Sequence, residues 1–136
     1  MQALPYEHAI QAIINRDPRF HPQAYIFLKE ALDFTLHRIT EANLGQARHV
    51  SGPELLAGFR DLALQTFGPM AATLLAEWGI KSCSDVGEMV FLLIEVGTFG
   101  KQDSDTKEDF ADVYSFHDTF VAPFQPAGTT TLSRRA

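Results

Sequence analysis

Residues 84–116, SDVGEMVFLLIEVGTFGKQDSDTKEDFADVYSF, decide the fold class, because one periodicity gives way to another inside them. Up to Val96, the residues Val86, Met89, Val90 and Leu93 recur at helical spacing. Ser84 or Asp85 is placed to cap this helix, Asp85 and Glu88 have capping-box spacing, and Gly97 stops it. Beyond Gly97, residues 98–102 read as a short strand and 103–109 as a charged turn. Phe110, Asp112, Tyr114 and Phe116 then alternate with Ala111, Val113 and Ser115, as in a second strand. Phe110, Val113 and Phe116 are also three apart, so a helical reading stays open.

Ahead of this stretch, residues 69–78 form a helix that ends at Gly79, with Ile80 positioned to meet Leu75 in a Schellman-type stop. Helix, turn, helix and hairpin is the order of a winged helix–turn–helix. The expected fold is therefore mainly α, with about five helices and a winged-helix-like part over 69–118; an all-α bundle is the alternative. One helical domain spans 1–122, and the Pro, Gly, Thr and Arg-Arg composition of 123–136 reads as a disordered tail.

Three helices precede that part. The first starts at Pro5, buries Tyr6, Ala9, Ile10, Ile13 and Ile14, and stops at Asp17-Pro18. The second runs from Pro22 to about Ala42. Its stripe of Tyr25, Leu28, Leu32, Leu36 and Ile39, flanked by Ala24, Phe27, Ala31 and Phe34, is wide enough to need more than one neighbour. The third opens on Ser51, with Glu54 completing a capping box, Val50 and Leu55 at staple positions, and Pro53 in the first turn. Gly68-Pro69 separates the third helix from the fourth.

Composition narrows the function classes. Hydrophobic and charged fractions of 46% and 21% over 136 residues suit a globular core, and eleven Phe residues make it rich in rings. Cys83 is the only cysteine, so neither an internal disulfide nor a thiolate zinc cluster is available. Residues 1–12 lack the pattern of a signal peptide, and no apolar run approaches the ~20 residues of a membrane span. These features point to a cytoplasmic protein with no membrane partner.

The net charge of -6 is uneven. Between Asp85 and Asp118 the acids outnumber the bases nine to two, whereas residues 1–84 are nearly balanced. A recognition helix that turns Asp85, Glu88, Leu92 and Glu95 outward has nothing to offer phosphates, so nucleic acid is a poor partner despite the winged order. The expected partner is a protein with a basic surface, met through Glu88, Leu92, Glu95 and Asp112. The chain reads first as a non-enzymatic binding or regulatory module; a winged-helix DNA-binding regulator is one alternative.

A second alternative is an enzyme or ligand binder with an anion pocket near Arg48 and His49. Residues 48–52, RHVSG, set a cation, an imidazole and the Ser51 hydroxyl just before a helix N-terminus, where anions are favoured; capping alone also accounts for Ser51. His37 lies one turn from Asp33 on the polar face of the second helix, the pattern of a solvated pair more than of a metal half-site. His21 belongs to a helix start, and Cys83 has no dyad partner in sequence. No nucleotide, zincin or nucleophile-elbow motif occurs, so no catalytic residue, metal or cofactor is expected.

Arg19-Phe20-His21-Pro22 with Ala24-Tyr25, Arg48-His49-Val50-Ser51-Gly52 with Glu54-Leu55-Leu56, Phe67-Gly68-Pro69, Glu77-Trp78-Gly79-Ile80, and Asp109-Phe110-Ala111-Asp112-Val113-Tyr114 occur together. This set, which reaches to about Phe120, resembles a family of small planctomycete and verrucomicrobial proteins with no assigned activity. The resemblance implies a free-standing bacterial cytoplasmic protein, and no mechanism.

Overall fold

The structure, a computed structural model, describes residues 6–46, 48–97 and 107–125. Five α-helices and no strand are found among them: α1 (Tyr6–Arg16), α2 (Pro22–Ala42), α3 (Gly52–Phe67), α4 (Ala71–Glu77) and α5 (Cys83–Glu95). Single helical turns cover Gly68–Met70, Lys107–Phe110, His117–Val121 and Ala122–Phe124. No helix among the described residues is long and apolar enough to cross a membrane.

The helix starts follow local chemistry. His21 is the N-cap of α2, its Nδ1 accepting from the Gln23 amide at 3.0 Å, with Pro22 in the first turn. Ser51 and Glu54 form the full capping box of α3. The stop of α4 is the Schellman pair, Ile80 N–H to Leu75 C=O at 2.8 Å and Gly79 N–H to Ala76 C=O at 3.0 Å, with Gly79 at φ +92. At α5 the cap lies earlier than the Ser84 or Asp85 expected. Ser82 is extended and its hydroxyl accepts from the Asp85 amide at 3.2 Å, which adds a turn that begins at Cys83.

The centre of the molecule is the α2–α3 crossing. Phe27 meets Phe59 edge to face at 5.1 Å, and Phe67 and Trp78 extend the ring cluster to the end of α4. Close approach is possible because Gly58 of α3 sits over Thr35 of α2. From α1, Ile13 and Ala9 enter the same core, and the Tyr6 hydroxyl donates to the Tyr25 carbonyl.

The expected wing is replaced by a strap. Of the hairpin, the first strand and the tip up to Thr106 lie outside the described residues, as does 126–136 of the expected tail. The second strand is corrected. Residues 107–110 form a 3-10 turn, Asp112 adopts φ +51, and the chain turns helical again at His117. No extended ladder can pass through a left-handed residue at Asp112.

The aromatics of this segment have stronger uses than a hairpin, which is marginal alone. Phe110 is buried between α3 and α5. Tyr114 donates its hydroxyl to the Leu56 carbonyl at 2.8 Å, and its ring stacks with Phe116 at 5.9 Å. Phe120 is buried too. Among the described residues the all-α alternative is therefore the architecture seen, and the second strand of the expected hairpin is not formed.

The strap also accounts for Cys83. Its thiol is buried and donates to the Tyr114 carbonyl at 3.3 Å, and burial pushes its pKa up, which disfavours the thiolate.

Candidate functional site

The Arg48–Ser51 loop lies at the edge of a cavity of about 390 Å³. Among the described residues, α2 contributes Lys29, Leu32, Asp33 and Leu36 to its wall, and α5 contributes Val90, Phe91 and Ile94. Val50, Gly52 and Leu55 complete the α3 side, and the ring of Phe110 closes one flank. Leu32, Leu36, Val50, Phe91 and Ile94 are half-buried. A polar rim over an apolar body is the usual build of a small-molecule site, and the volume falls in the usual range of roughly 300–1,000 Å³.

All three anion-site candidates line this cavity, and Arg48 and Ser51 already have partners for part of their polar groups. Arg48 forms a bidentate pair with Glu54, Nη1 to Oε1 at 2.9 Å and Nη2 to Oε2 at 2.6 Å. Its Nη1 also donates to the His49 carbonyl at 3.0 Å. Ser51 caps α3 through its hydroxyl. At the rim, Lys29 Nζ bridges both Asp33 oxygens at 3.0 and 2.8 Å. The rim is polar and close to neutral, not the strongly cationic nest that the loop sequence suggests. Glu77 takes no part in this lining.

The Arg48 guanidinium, followed by the Ser51 amide, pulls the Glu54 pKa down to about 2. A group whose pKa is depressed on folding contributes stability above its unfolded value, and that stability is lost as pH falls through the folded value. The Ser51–Glu54–Arg48 clamp should therefore weaken between about pH 4.5 and about pH 2. Glu54 is partly exposed, so the expected effect of Glu54→Gln at neutral pH is only about 1 kcal/mol, the worth of one helix cap. Urea unfolding of both proteins across that range should show the difference closing by about pH 2; a gap constant with pH would refute the assignment.

The four partner-contact candidates do not make one free acidic face. Glu95 pairs with Arg16 of α1 at 2.9 Å, and Glu88 lies 3.7 Å from Arg19, which also pairs with Asp17. Asp85 accepts from the Lys81 amide at 2.8 Å. Leu92 is half-buried against the core rather than turned outward. Glu95 and Asp112 are both exposed, and Asp112 lies beside Val113, which is 41% exposed.

His37 pairs with Glu41 at 3.2 Å while Asp33 is taken by Lys29. Among the described residues no group of three or more His, Cys, Asp or Glu side chains gathers in a metal-holding arrangement.

The α2 and α5 walls and Phe110 are the site residues that the sequence reading assigned to core or wing. A usable signal for α2 was the width of its apolar stripe. The core takes Ala24, Tyr25, Phe27, Leu28, Ala31 and Thr35, and Leu32 and Leu36 fall at its edge. Comparison with protein-family models, with curated proteins and with solved structures finds no match to this chain.

Proposed function

We propose that this chain is a binding protein for a small, largely apolar molecule held between α2, the start of α3 and α5. One observation carries the reading. The Arg48–Ser51 loop and the half-buried Leu32, Leu36, Phe91 and Ile94, drawn from one loop and two helices, converge on a single cavity. Leaving such side chains unfilled forfeits their burial, at roughly 25 cal/mol per Å² of apolar surface, and a ligand recovers it. No catalytic step is part of the proposal.

Nucleic-acid binding is not proposed, because Glu88 and Glu95 lie on α5 itself and the described part of the expected wing, from 107 on, forms no strand. Contact with a basic protein surface remains a second proposal, supported by exposed Asp112 and Val113. Membership of the planctomycete and verrucomicrobial family, and with it a cytoplasmic setting, likewise stays a proposal.

The test is titration with the neutral fluorophore N-phenyl-1-naphthylamine. Saturable enhancement is expected, and Ile94→Trp, which fills the cavity, should weaken it roughly tenfold, the worth of a lost apolar contact surface of this kind. Circular dichroism should stay unchanged in that variant. No enhancement in the parent protein, or equal affinity in Ile94→Trp, would overturn the reading.

A further inference from the structure

We infer that the ligand is an amphipathic monocarboxylate, an apolar chain or ring ending in one carboxylate, which docks on the unused edge of the Arg48 guanidinium. This rests on the cavity being a ligand site and adds the chemistry of the ligand.

Arginine offers five N–H donors. Glu54 takes one from Nη1 and one from Nη2, and the His49 carbonyl takes the second from Nη1. What remains is Nε–H and the second Nη2–H, the two parallel donors along the side of the guanidinium plane. No group among the described residues uses them. That pair has the spacing of a carboxylate, which it binds in fork-to-fork fashion. Glu54 holds the plane in place, so little further ordering is needed when an anion arrives.

Competing head groups fit less well. A phosphate monoester brings close to two charges next to the Glu54 carboxylate, with one half-neutralised guanidinium to meet them. The other rim cation, Lys29, already spans both oxygens of Asp33. A polyhydroxylated ligand would leave hydroxyls against Leu36, Val50, Phe91 and Ile94, where nothing can pair with them. One charge at the rim and carbon below it is the ligand that this lining satisfies.

Displacement of N-phenyl-1-naphthylamine by octanoate, octanol and octyl phosphate, at low salt and neutral pH, tests the assignment. Octanoate should displace the probe at roughly one tenth of the octanol concentration, the scale of one exposed bidentate contact. In Arg48→Lys, which keeps the charge and removes the fork, the octanoate-to-octanol preference should fall to about one. Equal potency of octanol and octanoate in the parent protein, or a preference for octyl phosphate, would overturn the carboxylate assignment while leaving the cavity as a binding site. Failure of all three compounds together with the probe would instead remove the site itself. The parent protein alone decides these outcomes if Arg48→Lys folds poorly.

Discussion

Gly58→Ala is expected to lower the free energy of unfolding by about 3 kcal/mol, although alanine is the better helix former by about 1 kcal/mol. A Cβ at position 58 would stand 1.7 Å from Thr35 Oγ1 and 2.9 Å from Thr35 Cβ. The threonine cannot turn away cheaply. It is buried, and its hydroxyl donates to the Ala31 carbonyl at 2.7 Å. Rotation about χ1 would exchange the oxygen for a methyl group. The remaining response is to part α2 from α3, which loosens the Phe27–Phe59 contact at the centre of the core. Denaturant unfolding in a double-mutant cycle checks this. In a Thr35→Ala background the cost of Gly58→Ala should fall to about 1 kcal/mol or less, and in Thr35→Val it should not fall. A Gly58→Ala variant within 1 kcal/mol of the parent would refute the account.

This glycine also shows where sequence reasoning stops. Helix boundaries were legible wherever one residue's chemistry sets them: Pro22 and Ser51 as starts, Gly79 as a stop, each formed as expected. At α5 the sequence pointed to Ser84 or Asp85 as the cap, with Asp85 and Glu88 at capping-box spacing, and it missed Ser82. Ser82 is extended there and its hydroxyl accepts from the Asp85 amide, so the helix begins earlier. Gly58 and Gly87 carried no such local signal, because their role is the room they leave for residues distant in the chain.

The same limit explains the wing. Alternation of Phe110, Asp112, Tyr114 and Phe116 is a two-residue period, and a chain laid across helix ends can show it as well as a strand can. What decides is a partner, and Phe110 finds its partners at Gly52 and Gly87. His21 donates its amide to the Trp78 carbonyl at 3.0 Å, joining the Arg19–Pro22 and Glu77–Ile80 segments, and Gly52 faces Phe110. At the site, the loop was legible as polar residues before a helix. Its conversion from an anion nest into a near-neutral rim was not, since that needed Glu54 to reach back and take Arg48.

Removing Phe110 should be the most informative single change after Gly58. The ring is 4% exposed, meets Phe91 edge to face at 6.1 Å, and forms one wall of the cavity. Phe110→Ala should cost about 3 kcal/mol, the low end for a buried phenylalanine because the strap can settle into part of the gap. Gly87→Ala attacks the same contact from the other side. Its Cβ would fall 2.7 Å from Phe110 Cβ, an atom too close to the backbone to swing aside, so the strap segment must lift. In the parent protein Gly87→Ala destabilises. In a Phe110→Gly background, which removes the opposing Cβ itself, the helix preference for alanine over glycine, about 1 kcal/mol, is free to act. The two substitutions should therefore be strongly non-additive, and the sign of the Gly87→Ala effect should reverse. Hydrogen exchange should place the loss first in residues 107–121, and probe affinity should fall with it because the cavity loses a wall. Equal effects of Gly87→Ala in both backgrounds would show that the ring and the glycine are not one joint, and the strap would then need another anchor.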